Sequence, residues 1–120
     1  MKELSQLSIL YVDDDDLMRF SLPRVLGKHV KEITVAENGL QGLELFEKCR
    51  HDAVITDLEM PVLNGVEFMK RLREYYGDVP IIVLTAFEDQ AELAKDADVV
   101  LAKPLLIKKV VAALGECAKK

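Results

Sequence analysis

The chain has 120 residues, half of them apolar, which is enough for one domain with its own core and leaves little room for a second. A net charge of -5 and a pI near 5.0 argue against a surface built mainly to bind nucleic acid, because a phosphate backbone attracts clustered lysine and arginine. Two isolated cysteines and two distant histidines lack metal-ligand spacing, so we expect free thiols and no zinc site.

The chain also lacks the apolar segments that direct a protein to a membrane. No stretch approaches the roughly 18 apolar residues of a membrane span. Residues 1–8 contain no apolar core of a signal peptide. We therefore expect a cytoplasmic protein that neither enters a membrane nor binds nucleic acid directly, folded as one domain over residues 1–120.

Along the chain, short apolar runs alternate with segments whose apolar residues recur at helical spacing. The apolar runs predict five β-strands, at residues 9–12, 32–37, 53–56, 80–84 and 99–102. The helical patterns predict five helices, at residues 17–27, at 40–49, between Asn64-Gly65 and Gly77-Asp78, at about 89–95, and from residue 107 onward. The chain therefore consists of five strand-then-helix units.

Repeated strand-then-helix units predict an α/β fold, in which a parallel sheet is covered by helices on both faces. Four of the strands are continuous apolar runs, as is typical of strands buried on both faces. Only the second strand alternates apolar and polar residues, so we place it at an edge. We expect a single doubly wound five-stranded sheet of order 2-1-3-4-5, on the precedent of flavodoxin-like sheets and not from the pattern alone.

Polar residues follow four of the five predicted strands. Ligands of open α/β sheets bind outside the carboxyl ends of the strands, so these residues should share one crevice. The predicted crevice holds three carboxylates, one hydroxyl and one ammonium group, from Asp13, Asp14, Asp57, Thr85 and Lys103. An acidic run after a strand is also typical of a solvated helix N-terminus, and we favour that interpretation for Asp15 and Asp16.

The chemistry that this set of groups supports is narrow. Clustered carboxylates repel one another, and a hard divalent cation relieves that repulsion; Mg²⁺ prefers oxygen ligands and keeps several waters. A carboxylate can also act as a nucleophile and form an acyl phosphate. Phosphoryl transfer needs mainly positioning and cancellation of charge, which Mg²⁺, Lys103 and the Thr85 hydroxyl could supply. The site therefore predicts a phosphoryl donor and not a bulky organic substrate.

Four segments of the chain resemble the signatures of response-regulator receiver domains, the CheY-like superfamily of two-component signal transduction. They occur in the expected order and cover nearly the whole chain: ILYVDD at 9–14, VITDLEMP at 54–61 with Asn64-Gly65, LTA at 84–86, and Lys103-Pro104. The resemblance implies a receiver that accepts a phosphoryl group from a sensor histidine kinase or a histidine phosphotransfer protein. It also implies an unknown output protein or domain, and no catalysis beyond the receiver's own phosphorylation and dephosphorylation.

The resemblance also implies a role for each site residue. Asp57 corresponds to the phosphoacceptor, Asp14 to the direct Mg²⁺ ligand, and Asp13 to the acid that reaches the metal through water. The backbone carbonyl of Glu59 would complete the protein's share of the coordination. Thr85 corresponds to the hydroxyl that moves toward the phosphoryl group. Lys103 would bind a phosphoryl oxygen, and the family predicts a cis bond between it and Pro104.

The chain departs from the family pattern near its output face. Receivers usually carry an aromatic residue three positions before the lysine, where this chain has Val100, so the usual threonine–aromatic switch is in question. Phe87 is a candidate for that role, the alternative being a partly exposed loop residue. The stretch from Thr85 to Lys103 is shorter than usual, so the helix within it should be short or irregular.

Two other functions remain as alternatives. A degenerate receiver could act as a binding module without phosphorylation, although all five site positions are intact. A phosphatase with an aspartate nucleophile would carry D-x-D-x-[TV] after the first strand, but Leu17 occupies the last position of that pattern here. The chain is also short for the cap domain and substrate pocket of such an enzyme.

Overall fold

The structure is a computed structural model, and it describes residues 3–60, 62–86, 97–103 and 106–118. Three sequence-based expectations lie outside the described residues. They are the short helix at about 89–95, the role of Phe87, and the cis bond before Pro104. None of the described helices has the length and apolar character needed to span a membrane.

Five parallel strands form one sheet in the order β2-β1-β3-β4-β5, which confirms the predicted α/β fold. The strands are β1 (Ser8–Val12), β2 (Glu32–Ala36), β3 (Ala53–Asp57), β4 (Ile81–Thr85) and β5 (Val99–Ala102). All four pairings between neighbouring strands are parallel. The alternating strand β2 lies at an edge, as its pattern predicts. The opposite edge is β5, whose residues alternate between partly buried and exposed, so the burial on both faces that its apolar run predicted is not found.

Four α-helices are described, preceded by a single turn of 3₁₀-helix at Leu4–Gln6. They are α1 (Asp16–Leu26), α2 (Gly39–Cys49), α3 (Gly65–Tyr76) and α4 (Ile107–Ala118). The first three begin where a side-chain oxygen accepts a hydrogen bond from a backbone N–H of the first turn. The capping residues are Asp15, Asn38 and Asn64.

The helices cover both faces of the sheet and produce two cores. Successive side chains of a strand point to opposite faces, so each central strand contributes to both cores. One core packs against α2 and α3 and includes Leu10, Val54, Phe68 and Ile81. The other packs against α1 and α4 and includes Tyr11, Ile55, Leu84 and Leu114. Burial on both faces explains why the central strands are continuous apolar runs.

Candidate functional site

The carboxyl ends of four strands meet at one edge of the sheet. Parallel pairing places Asp57 of β3 opposite Leu84 and Thr85 of β4 opposite Ala102. Asp13 and Asp14 directly follow β1, and Lys103 directly follows β5. The predicted crevice therefore forms from the ends of β1, β3, β4 and β5.

Three carboxylates cluster in this crevice. One oxygen each of Asp13, Asp14 and Asp57 lies within 4.8 Å of the other two. Asp13 is fully buried and Asp57 nearly so, while Asp14 is exposed at the mouth. Negative charges this close repel one another strongly where water is scarce. A hard cation with oxygen ligands, such as Mg²⁺, fits this donor set and would remove the repulsion.

The Asp57 carboxylate has a protein donor on each oxygen. Its Oδ2 lies 3.2 Å from the Lys103 ammonium nitrogen, and its Oδ1 accepts a 3.3 Å hydrogen bond from the backbone N–H of Glu59. Burial raises the pKa of this carboxyl above its usual value, Lys103 opposes the rise, and the nearby Asp13 charge adds to it. The protein's own groups therefore compensate the ionised form of Asp57 only in part.

Both carboxylate oxygens and the backbone carbonyl of Asp13 accept hydrogen bonds from the chain. Its Oδ2 accepts a 2.6 Å hydrogen bond from the Tyr11 hydroxyl, and its Oδ1 accepts one of 3.0 Å from the backbone N–H of Asp15. The guanidinium of Arg19 donates to its backbone carbonyl at 2.9 Å. Burial, followed by the bond to Asp13, raises the pKa of Tyr11 far above its usual value, so the phenol stays protonated as a donor.

Tyr11 is the site residue that the sequence analysis missed. It lies in the middle of the apolar run ILYV and belongs to the core under α1 and α4. A signal was present, because residues two apart on a strand share a face, and Tyr11 precedes Asp13 by two. A tyrosine hydroxyl in a buried strand also needs a hydrogen-bond partner.

An open cleft of about 420 Å³ leads to the cluster. Five of its six lining residues have ionisable side chains: Asp14, Asp15, Asp57, Glu59 and Lys103. The sixth is Ala86. Sites for drug-sized organic ligands are mostly apolar, so these walls suit a small charged ligand instead. Thr85 is buried at the end of β4 beside this cleft.

The loop after Asp57 passes very close to the start of α3. The backbone N–H of Gly65 donates to the Leu58 carbonyl at 2.8 Å. A Cβ atom at residue 65 would lie 2.3 Å from the Asp57 carbonyl oxygen and 2.6 Å from Leu58 Cα. Only glycine fits that gap without moving the backbone, which explains Gly65, while Asn64 before it caps α3.

The structure thus brings Asp13, Asp14, Asp57 and Lys103 together, with Glu59 contributing its backbone and Thr85 adjacent on β4. The next two acids have the structural roles that we favoured for them. Asp15 caps α1 by accepting from two backbone N–H groups, and Asp16 pairs with Arg19. Val100, where the family pattern has an aromatic residue, is an exposed apolar side chain on β5.

Comparison with known proteins places the chain among signalling domains. The family described as the response regulator receiver domain matches residues 9–115. The response regulator MprA of Mycobacterium sp. (strain KMS) is 39% identical over 108 residues, which cover 87% of this chain and 47% of that protein. The chain therefore spans about half the length of the curated relatives that it matches.

Two similar solved structures contain magnesium. The response regulator protein TrrA of Thermotoga maritima, in complex with Mg²⁺-BeF, is 33% identical with a TM-score of 0.82, covering 91% of this chain and 99% of that one. The receiver domain of a sensor histidine kinase from Pseudomonas aeruginosa PAO1 has a magnesium ion in its active-site cleft. It is 25% identical with a TM-score of 0.87, covering 96% of this chain and 99% of that one.

Proposed function

Because this chain belongs to the family of response regulator receiver domains, we propose that residues 1–120 form a phosphoacceptor receiver in which Asp57 takes a phosphoryl group. The donor would be a sensor histidine kinase or a histidine phosphotransfer protein. The observation that carries the proposal is the position of the Asp57 carboxylate, between the Lys103 ammonium and the acids that follow β1. That carboxylate ends a buried strand and borders an open, charged cleft.

Mg²⁺ is the proposed cofactor. Asp14 and Asp57 would bind it directly, Asp13 through water, and Glu59 through its backbone carbonyl. Three carboxylates within 4.8 Å of one another support this assignment, because they make a donor set that a hard divalent ion prefers. The magnesium in the two similar structures supports it as well. When bound, the ion would offset negative charge on the acids and on the incoming phosphoryl oxygens.

Phosphoryl transfer to Asp57 requires little covalent chemistry from the protein. An Asp57 carboxylate oxygen forms a bond to phosphorus as the phosphorus–nitrogen bond of the donor imidazole breaks, and the imidazole leaves with the electron pair. The phosphoryl group is loosely bonded at that moment, with charge spread over its three equatorial oxygens. The Lys103 ammonium, already beside Asp57, would bind one of those oxygens, and the Thr85 hydroxyl would donate to another.

A receiver of this kind is a signalling element and not a turnover enzyme. Its only reactions would be the gain and loss of its own phosphoryl group. The output then depends on a partner protein or domain that binds the phosphorylated form better than the free form. We propose that this protein works in the cytoplasm and contacts neither nucleic acid nor membrane itself. The acidic pI of about 5.0 supports the first of those exclusions.

Intact-protein mass spectrometry tests the proposal most directly. The protein is incubated with a small acyl phosphate, with and without Mg²⁺, beside Asp57→Asn and the matched control Asp52→Asn. Asp52 lies before β3 at the opposite end of the sheet, where it accepts from the backbone N–H of Ser8. We expect one Mg²⁺-dependent phosphoryl adduct in wild type and in Asp52→Asn, and none in Asp57→Asn.

Failure of that experiment would separate the alternatives. No adduct on a folded, Mg²⁺-binding protein with either an acyl phosphate or a phosphorylated histidine phosphotransfer protein would indicate a degenerate receiver that works as a binding module. Steady release of inorganic phosphate from a small phosphomonoester would instead indicate a phosphatase. Adduct formation on the Asp57→Asn variant would contradict the assignment of the acceptor.

A further inference from the structure

We propose that Tyr11 is a positioning residue for the metal site, which holds the Asp13 carboxylate in the orientation that Mg²⁺ binding requires. This inference rests on the proposed function, because it concerns the same site. It adds a residue from within the β1 strand to the acids and the lysine at the strand ends.

The position of the Tyr11 hydroxyl is set by the core. The side chain is fully buried and packs among apolar residues under α1 and α4. Tyr11 pairs with Val35 on one side and Ile55 on the other, so its backbone is fixed in the interior of the sheet. A phenol ring has only two side-chain torsions, and both are restrained when the ring is enclosed. The packing of the ring and the strand therefore fixes the position of the Tyr11 hydroxyl beside Asp13.

The hydrogen bond limits how the Asp13 carboxylate can turn. At 2.6 Å from the Tyr11 hydroxyl, Oδ2 makes a short bond of the kind expected between a neutral donor and a carboxylate. Because the Asp15 backbone N–H occupies Oδ1 at 3.0 Å, the two bonds together fix the plane of the carboxylate. Each carboxylate oxygen has about two acceptor directions, so one on each remains for a metal-bound water.

Removing the hydroxyl should weaken metal binding, although two effects oppose each other. The Tyr11 bond withdraws some charge from Asp13, so its loss alone would strengthen attraction to a cation. Asp13 is fully buried, however, and with the Tyr11 donor gone its carboxylate is held by the Asp15 backbone N–H alone, which no longer fixes its plane. Loss of the partner that orients a direct metal ligand typically costs about 10- to 100-fold in metal affinity, and because Asp13 would reach the ion through water we expect the lower end of that range. We expect the orienting effect to dominate.

The test is calorimetric titration of the metal-free chain with Mg²⁺ alone. Tyr11→Phe keeps the ring and removes only the hydroxyl. Tyr76→Phe is the matched control, since Tyr76 packs against the other core, beside Phe46. We expect about tenfold weaker Mg²⁺ binding for Tyr11→Phe and wild-type affinity for Tyr76→Phe. Equal or tighter binding by a folded Tyr11→Phe would overturn the proposal.

A double-mutant cycle shows whether Tyr11 acts through Asp13. In an Asp13→Asn background, Tyr11→Phe should leave the Mg²⁺ dissociation constant unchanged. A further tenfold loss there would mean that Tyr11 acts by some other route and would overturn the inference. If Tyr11→Phe fails to fold, the wild-type protein labelled with ¹³C at the tyrosine ζ carbon provides a second measurement. The Tyr11 signal should shift along the Mg²⁺ isotherm, and an invariant signal would overturn the inference as well.

Failure of the inference and failure of the proposed function give different results. A wild-type chain that binds no Mg²⁺ would contradict both the proposed cofactor and any role of Tyr11 in binding it. A wild-type chain that binds Mg²⁺ and accepts a phosphoryl group, with a Tyr11→Phe variant of equal affinity, would contradict only the inference.

Discussion

The Lys103 ammonium nitrogen lies 3.2 Å from Oδ2 of Asp57, and this ion pair joins the carboxyl end of β5 to that of β3 across the intervening β4. Asp57 in turn belongs to a cluster of three carboxylates, and Lys103 is the ammonium group paired with that cluster within the described part of the site. Lys103 therefore compensates the cluster only in part, and it already occupies the place where an additional anionic group on Asp57 would need a cation.

Replacing Lys103 with methionine should slow phosphorylation strongly and also lower stability. The lysine side chain is 25% exposed, but its partner Asp57 is buried, so the variant leaves a buried carboxylate with less compensation and costs more than the roughly 1 kcal/mol of a fully exposed pair. A donor aimed at charge that develops during a reaction typically contributes about a hundredfold or more in rate. We expect a loss of that size in the rate of adduct formation with a small acyl phosphate, followed by intact mass.

Lys109→Met is the matched control, because Lys109 is exposed on α4. It should phosphorylate at the wild-type rate. Equal rates for Lys103→Met and Lys109→Met would show that the ammonium does not assist the transfer.

Asp57→Asn should raise the melting temperature of the metal-free protein at neutral pH. The pKa of Asp57 is raised in the folded chain, chiefly by burial, so the folded state holds this proton more tightly than the unfolded state. Ionised Asp57 therefore costs stability above its folded pKa, and the cost vanishes as the pH falls below the unfolded value of about 3.9. The advantage of the variant should shrink between neutral pH and about pH 4.

Thermal unfolding followed by circular dichroism, with a chelator and then with Mg²⁺, checks this prediction. Mg²⁺ should stabilise wild type by mass action, by about 2.7 kcal/mol at a hundred times the dissociation constant. The variant should gain less, because one proposed ligand is changed. A metal-free Asp57→Asn that melts at or below wild type at neutral pH would refute the argument that the buried, ionised Asp57 carboxylate lowers stability.

Gly65→Ala should destabilise the chain and impair the site together. The new Cβ would lie 2.3 Å from the Asp57 carbonyl oxygen and 2.6 Å from Leu58 Cα, which are backbone atoms that cannot rotate away. Overpacking of this kind costs about 1–3 kcal/mol. We expect a loss of that size in chemical denaturation, with slower adduct formation because the acceptor strand must shift.

Gly115→Ala is the control, and we expect it to raise stability where Gly65→Ala lowers it. It lies inside α4, where nothing comes within 4 Å of the added Cβ, so the change should stabilise the helix by about 0.5–1 kcal/mol. A Gly65→Ala variant as stable as Gly115→Ala would mean that the loop after β3 is less tightly packed than described.

The elements that sequence predicted well are those governed by burial on two faces. The central strands β1, β3 and β4 are enclosed by helices, so their apolar runs are uninterrupted and their ends are marked by Asp13, Asp57 and Thr85. Because parallel strands align their carboxyl ends, the polar residues there could be assigned to one crevice from the sequence alone. The helix starts were predicted one residue late at α1 and α2, where the caps determine them.

The features that escaped prediction depend on tertiary packing. Tyr11 has the pattern of a core residue, and only its 2.6 Å contact with Asp13 reveals a second role. The closeness of residue 65 to the Asp57 carbonyl depends on how α3 packs against the loop, which no local pattern encodes. The apolar run of β5 predicted burial on both faces, but β5 is an edge strand and is only partly buried.

A buried histidine far from the site should make stability depend on pH. His51 is 5% exposed, and neither ring nitrogen has a hydrogen-bond partner among the described residues. Burial lowers the pKa of His51 and outweighs the opposite effect of Glu32 and Asp52. The unfolded chain, with a histidine pKa of about 6.5, therefore binds this proton more readily than the folded chain. Stability is full above that value and is lost as the pH falls toward the folded pKa.

His51→Phe isolates this contribution, because it keeps a ring beside Phe46, whose centroid lies 5.9 Å away, and removes the titration. Chemical denaturation of both proteins from about pH 7.5 to about pH 5.5 should show wild type losing stability relative to the variant, by at most about 1.4 kcal/mol per pH unit. His29 is exposed and common to both proteins, so its contribution cancels in the comparison. A difference that stays constant over this range would show that His51 keeps an ordinary pKa in the folded chain, and burial would then not control its protonation.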